Sequence, residues 1–403
     1  MSMFKRSARF SAAIMTASLA LLPFTANAQY SGTNGQVFFK YSKSSVDSIA
    51  AMNADGTQSH IVLSDTASDI YTYLASSPDG SKILYADQQT ATLGGTSVSR
   101  LYIASPTNSN QVLLYTSASM IELNAATFDG AGSTVAFSLR DYGNSGAASG
   151  IYTVPTSGGA ATQIVTVTPS DGDINGLAFS VVNSLLYYGL FQGSSGGNTN
   201  LTPSSAFKST TITGANQTII KSFSNSNQVF TDISPDGTKI LYKSVDTSGI
   251  DQIFSLLAAN GTGTAQITHT SDTVVIDTAT YSPDGTKIIY SSSNSTSTGQ
   301  TLNGSRVISA DGTTSIGTLR SDAQFAVWST VANSVAGTYP TELSAGTSNF
   351  IGGGGTGGTV AGVATLPKTG SPLKQSLPYL LLGLGLAGVA TIEVVGRARN
   401  AKR

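Results

Sequence analysis

Few side chains in this sequence have the type and spacing for chemistry. His60 and His269 are its only histidines, in the matching contexts QSHIVLSD and QITHTSD. Acid–base work or metal ligation needs such a group beside partners, and each histidine reads instead as an ordinary residue of a repeated hairpin. Gly193-Ser194-Ser195-Gly196-Gly197 matches G-x-S-x-G, but a nucleophile elbow needs a strand before it and a helix after it. The surroundings, LFQGSSGGNTNLTPSS, are a polar loop. Asp171-Gly172-Asp173-Ile174-Asn175-Gly176 opens like a calcium loop, yet its twelfth position is Val182, where a bidentate glutamate belongs. That string reads as the start of a strand. No cysteine is present, which removes thiolate chemistry and disulfides together. The sequence therefore predicts no catalytic residue, no metal and no cofactor.

One polar constellation does emerge, and a repeat generates it. SPDGSKILY (77–85), SPDGTKILY (234–242) and SPDGTKIIY (282–290) are near-copies. Ser, Pro, Asp and Gly in that order suit a type I turn closing with a residue of positive φ. Runs rich in Val, Ile, Phe and Tyr flank each copy, so each is a hairpin. Degenerate copies follow Phe128 and Phe179, with Asn183 standing where the glycine stood, and a last one follows Trp328. The turn residues fall at 80, 132, 183, 237, 285 and about 333. Between them lie second hairpins such as RLYIASPTNSNQVLLYT and QIFSLLAANGTGTAQITH. Four strands per unit of about 50 residues is the period of a β-propeller blade.

These spacings predict an all-β fold: a six-bladed β-propeller of four-stranded blades over 29–340. GQVFFKYS, at 35–42, lacks a preceding turn, and its missing innermost strand is AQFAVWS at 323–329. N- and C-terminal strands would thus share one blade and remove the open edges. Aligning the innermost strands places Thr72, Asn124, Asn175, Val229, Asp277 and Gln324 in one column. Five of these are polar, and they mark one mouth of the central channel as a ligand-binding candidate: Thr72, Asn124, Asn175, Asp277 and Gln324. The SPDG hairpins, with DG turns at Asp55-Gly56 and Asp311-Gly312, resemble TolB-type propeller repeats. That resemblance covers roughly residues 30–340 and implies the fold. The N-terminal α/β domain of TolB proteins is missing, so their envelope role is not implied.

The two ends carry an address. Lys5, Arg6 and Arg9 precede an apolar run ending in Ala26-Asn27-Ala28, the plan of a secretory signal peptide over 1–28. Leu377–Val395 is apolar except for Glu393 and is followed by Arg397, Arg399, Lys402 and Arg403. A helix of that length spans about 28 Å, enough for a bilayer core, and the basic tail stays inside. Leu366-Pro367-Lys368-Thr369-Gly370 precedes this span. Motif, span and tail together resemble the cell-wall sorting signal of Gram-positive-type surface proteins. The resemblance implies cleavage by a sortase between Thr369 and Gly370 and covalent linkage to peptidoglycan. A Gly-rich tether covers 341–365, the motif 366–370, and the span and tail 371–403.

Between the processed ends, 29–369 hold 13 basic residues, the total of 21 less three in the leader and five after Thr369. They hold 21 acidic ones, the total of 22 less Glu393, for a net charge near −8. An acidic body argues against nucleic acid as a partner, and the membrane is met only through the span before processing. The expectation is a non-enzymatic, extracellular, wall-anchored protein whose propeller binds an unknown glycan or protein. The alternatives are a lyase-like surface enzyme on polysaccharide and a structural envelope protein.

Overall fold

The computed structural model describes residues 32–330, apart from 44–45, 65–68, 90–97, 107–110, 118–120, 142–148, 169–170, 193–203, 226, 271–273 and 297–298. The leader, tether, LPKTG motif and apolar span of the sequence analysis lie outside the described residues, as do the G-x-S-x-G string and the last turn near 333. No helix among the described residues is long and apolar enough to cross a membrane.

All regular elements described are strands, and they run in quartets. The first three are β1 (Val37–Lys43), β2 (Val46–Met52) and β3 (His60–Ser64). Next come β4 (Asp69–Ser76), β5 (Ile83–Gln89), β6 (Val98–Ala104) and β7 (Gln111–Thr116), then β8 (Ile121–Phe128), β9 (Thr134–Asp141), β10 (Gly150–Pro155) and β11 (Thr162–Thr166). A single parallel pair, Val98 with Ile121, joins these two quartets into one eight-stranded sheet. Then follow β12 (Asp173–Ser180), β13 (Leu185–Gln192), β14 (Ser204–Thr210) and β15 (Thr218–Phe223). The next quartet is β16 (Val229–Ile233), β17 (Lys239–Val245), β18 (Asp251–Leu257) and β19 (Ala265–Gln266). The last is β20 (Val274–Tyr281), β21 (Lys287–Thr296), β22 (Gly299–Ser309) and β23 (Ser315–Arg320). β24 (Gln324–Trp328) pairs antiparallel with β1, giving a sheet of order β24-β1-β2-β3.

The repeated nonapeptide explains itself in the turns. Ser234 Oγ donates to Asp236 Oδ1 at 2.6 Å, and the Thr238 amide and hydroxyl donate to the same oxygen at 3.0 and 2.7 Å. Ser234 Oγ also accepts from the Lys239 amide at 2.8 Å. One aspartate and one serine thereby absorb the polar groups that a tight turn leaves over. The turns around Asp79 and Asp284 repeat the pattern. Gly237 takes φ +68, and a Cβ there would lie 2.6 Å from Asn183 Nδ2, so glycine is required twice over.

In the degenerate third turn, positive φ falls on Ser184 rather than on Asn183, the residue expected to take it. Asn183 instead donates its amide to the Gly237 carbonyl at 2.8 Å and to the Tyr187 hydroxyl at 2.9 Å. It ties one turn to the next. Neighbouring turns touch elsewhere too: a Cβ on Gly132 would meet Pro78 Cδ at 3.3 Å, and one on Gly285 would meet Pro235 Cγ at 3.6 Å. The shared sheet is latched on both sides. Asn34 Nδ2 donates to Asp284 Oδ2 at 2.8 Å, while Thr330 Oγ1 donates to the Pro78 carbonyl at 2.9 Å.

The core is divided in the same way. Six apolar clusters each join two successive quartets. One packs Phe207 and Tyr187 against Phe230 and Tyr242, with Phe207 edge-on to both of the latter rings. Another sets Phe38 and Ile49, from the shared sheet, against Leu74 and Ile83 of the first full quartet. Burial between sheet faces is thus the main source of cohesion.

Candidate functional site at the two ends of the first strands

The first strand of every quartet bears on its neighbours in sequence order, and β24 lies against both β20 and β4. These six strands surround a cavity of about 120 Å³. Leu74, Ala126, Leu177, Thr231, Thr280 and Val327, one from each strand, line it. The cavity sits at the strand ends that run into the SPDG turns, and Pro235 and Pro283 border it.

Some of the residues around it carry buried polar atoms without a partner, while Ser77, Thr127, Ser282 and Thr330 are hydrogen-bonded. The Thr231 and Thr280 hydroxyls, the Tyr281 hydroxyl and Trp328 Nε1 are buried and lack a hydrogen-bond partner. Tyr281 and Trp328 are each only 7% exposed. Asp232, also on the lining, is buried without a cation; its Oδ1 accepts from the Ile233 amide and its Oδ2 from the Tyr281 amide, both at 2.8 Å. Burial pushes the Asp232 carboxyl up to about 7 against these two amide bonds, which hold it down. Desolvation, followed by the nearby Asp232 and Asp236 charges, raises the Tyr281 hydroxyl above its ordinary value.

The opposite ends of the same strands hold the column singled out in the sequence, with a different chemistry. Asn124, Asn175, Asp277 and Gln324 lie there on β8, β12, β20 and β24, and Thr72 lies on β4 opposite Ala86. At Asn124, Asn175 and Asp277 the ladder skips one residue, and that residue bulges out of the pairing. Asn175 turns its amide to the next quartet: Nδ2 donates to the Gln228 carbonyl at 3.2 Å and Oδ1 accepts from the Phe230 amide at 3.3 Å. Burial raises Asp277 to about 6, opposed by the Lys243 charge and a bond from Ser293.

The second strands add cations that the column did not reveal. Lys243, across from Val229, donates Nζ to the Ile276 carbonyl of the next quartet at 2.6 Å. Arg140 pairs with Asp173 of the next quartet at 3.1 Å, and Lys40, opposite Gln324, pairs with Asp47 at 3.1 Å. Counting second-strand residues in the repeat alignment was the signal that could have found them.

The remaining sequence candidates are scattered. His60 is buried at the start of β3, where desolvation lowers its pKa despite a contact with the Gln58 carbonyl, and His269 is exposed beyond β19. Asp171 accepts from the Thr168 amide and hydroxyl at 2.9 and 2.6 Å, while Asp173 faces Arg140 and Asn175 faces β16. The calcium-like string therefore directs its oxygens to three different partners. Among the described residues no cluster of His, Cys, Asp and Glu could hold a metal ion.

Comparison with known proteins adds the fold. No protein-family model matches the sequence, and no curated protein matches it. Among solved structures, TolB from Acinetobacter baumannii is 16% identical, with a TM-score of 0.53 over 73% of this chain and 66% of that one. A chain of a nidogen/laminin complex is 11% identical, with a TM-score of 0.51 over 70% of this chain and 91% of that one. In its described residues the chain is all-β, its strands set in antiparallel quartets, with a TolB-like β-propeller fold.

Proposed function

We propose that this protein is a secreted, wall-anchored, non-enzymatic binding module. Its ring is a closed six-bladed propeller of four-stranded blades that receives a glycan or protein ligand at its axis. The carrying observation is one cavity lined by residues of all six first strands, threonines, serines and Asp232 among them. Binding sites combine an enclosing apolar wall with a few convergent polar groups in this way. Six inter-quartet clusters and the two latches support closure. The mouth formed by Thr72, Asn124, Asn175, Asp277 and Gln324 is the second contact region in this reading. A nidogen/laminin complex among the fold neighbours supports including proteins with glycans as ligand classes.

In the same reading 1–28 are removed on export, 29–340 form the propeller and 341–365 are a flexible tether. Sortase cleaves after Thr369 of the motif Leu366-Pro367-Lys368-Thr369-Gly370 and joins it to peptidoglycan, while 371–403 hold the chain in the membrane beforehand. The test is display of the full-length protein on cells, screened against glycan and surface-protein arrays with product analysis on each polymer bound. Binding without turnover is expected, and Thr369→Ala should move the protein from the wall fraction to the membrane fraction. Cleaved polymer would overturn the non-enzymatic reading.

A further inference from the structure

We propose that β24 is an exchangeable strand: two copies of this chain swap it, each closing the other's shared sheet. This goes beyond the binding reading and needs only the pairing of β24 with β1.

Strain at one point of the ladder carries the inference. Every first strand holds one residue more than its partner across one step of pairing. The extra residues are Tyr73, Asn124, Asn175, Thr231 and Asp277 in β4, β8, β12, β16 and β20. In β24, Phe325 and Ala326 together stand against Phe39. Of these six bulges only that of β24 takes positive φ, +49 at Phe325. An aromatic residue is poorly suited to that region, where its Cβ crowds the backbone.

The cause is the link that feeds the strand. Three residues, 321–323, lead from β23 to β24, whereas four to seven precede each of the other first strands that follow a quartet or the shared sheet. Both ends of this link are fixed. Arg320 is buried over the Phe39 and Tyr41 rings, 5.7 Å from each, and pairs with Asp322, while Ala323 and Ala326 are fully buried. A link so short and so held passes its strain to the residues just beyond it, and Phe325 takes it.

Exchange relieves that strain and gives up no packing of β24. In a swapped pair the strand meets β1, β4, β20 and β21 of the second copy, so its ladder, the burial of Ala326 and Trp328, and the Thr330 bond to Pro78 are all remade. Short strained hinges invite such exchange, because only the hinge differs between closed and swapped forms. A strand of any other sequence would have to reproduce this packing; a second copy does so by identity. Three extended residues reach about 10 Å, so the two copies must abut where 321–323 leaves β23.

The test uses the chain's lack of cysteine. A Cβ on Gly32 would lie 3.1 Å from Thr330 Cβ, close to the spacing of about 3.5–4.5 Å in a disulfide. Gly32 stays with its own β1, and Thr330 travels with β24. In the full chain carrying Gly32→Cys and Thr330→Cys, a closed monomer gives an intrachain bond and exchange an interchain one. After refolding from urea and oxidation, non-reducing gels should show a covalent dimer whose share rises with protein concentration. That share should exceed the collisional level set by the two single variants. Two glycines inserted after Asp322 should lower the dimer's association constant at least about tenfold. Phe325→Asn, which places a residue tolerant of positive φ there, should act in the same sense. Intrachain bonds alone at every concentration would overturn the proposal, as would a dimer share unchanged by the longer link. Light scattering on the cysteine-free chain checks the same point without the disulfide: a monomer at every refolding concentration would overturn exchange as well.

Discussion

The two ends of the same six strands solve opposite problems. At the strand starts, polar and charged groups from two strand positions are spent between quartets: Arg140 on Asp173, Lys243 on the Ile276 carbonyl beside Asp277, Asn175 on the backbone of Gln228 and Phe230. At the turn end, several polar atoms are buried without a partner: the Thr231, Thr280 and Tyr281 hydroxyls and Trp328 Nε1. A repeat protein must hold its units in register and also leave something free to bind. Here these tasks lie a few residues apart on each strand. The end richest in polar residue types is the more committed one, so residue type alone does not mark the free surface.

The comparison can be tested most strongly through pH. Asp232 titrates near 7 when folded, against about 3.8 when unfolded, so between those values the folded state binds more protons. Stability must therefore fall as pH rises from about 4 to 7, by up to about 4 kcal/mol for a shift of this size. Asp277, raised to about 6, adds to the same trend from the other end. Urea unfolding across that range should show the decline, and Asp232→Asn should flatten most of it. A slope unchanged in this variant would mean that the turn-end carboxyl is not the strained one.

Next in size is the ammonium at the committed end. Lys243→Met removes a buried cation from the Ile276 carbonyl and from Asp277, and should cost about 3 kcal/mol. The denaturation midpoint reads this directly, and Asp277→Asn added to the same chain should recover part of the loss. The latches come third. Asn34→Ala loses bonds of 2.8 and 3.2 Å to Asp284 and should cost about 1–2 kcal/mol. Hydrogen exchange should show that loss first in β1 and β24. Smallest is a single turn. Asp79→Ala should lower the melting temperature by only a few degrees, for about 1 kcal/mol. Partial burial opposes ionisation of Asp79, but bonds from Ser77 and Ser81 and the Lys82 charge hold it down to about 2. Its contribution is thus present above about 3.8 and lost as pH falls toward 2, opposite in sign to that of Asp232.

The hairpins were legible because their cause is local. Ser77, Asp79 and Gly80 make a turn within six residues, and three near-copies declare it. The sheet that pairs β24 with β1 was readable from an unmatched strand at one end and a spare one at the other. Less was legible where neighbours decide. Asn183 was read for its tolerance of positive φ, yet the strained residue is Ser184, because the Asn183 amide is held by Gly237 of the next turn. Nothing in the sequence sets Asp232 apart within the strand before the second SPDG turn; its burial becomes visible only where the Tyr281 amide of β20 bonds to it. The residues of the polar column lie on first strands, and Asn175 shows that a polar residue there can face a neighbouring backbone.

The pairing of β24 with β1 also has a mechanical consequence. Any load on the chain beyond Thr330 enters the shared sheet through β24, at the end of the sheet opposite β3. β24 is joined to the rest of its sheet only through β1, and a pull along it strains those ladder bonds together, in shear, rather than peeling them one at a time. The Thr330 hydroxyl bond to Pro78 diverts part of that load into the neighbouring quartet. A chain leaving at this point would pull on a strand that also packs against β4, β20 and β21.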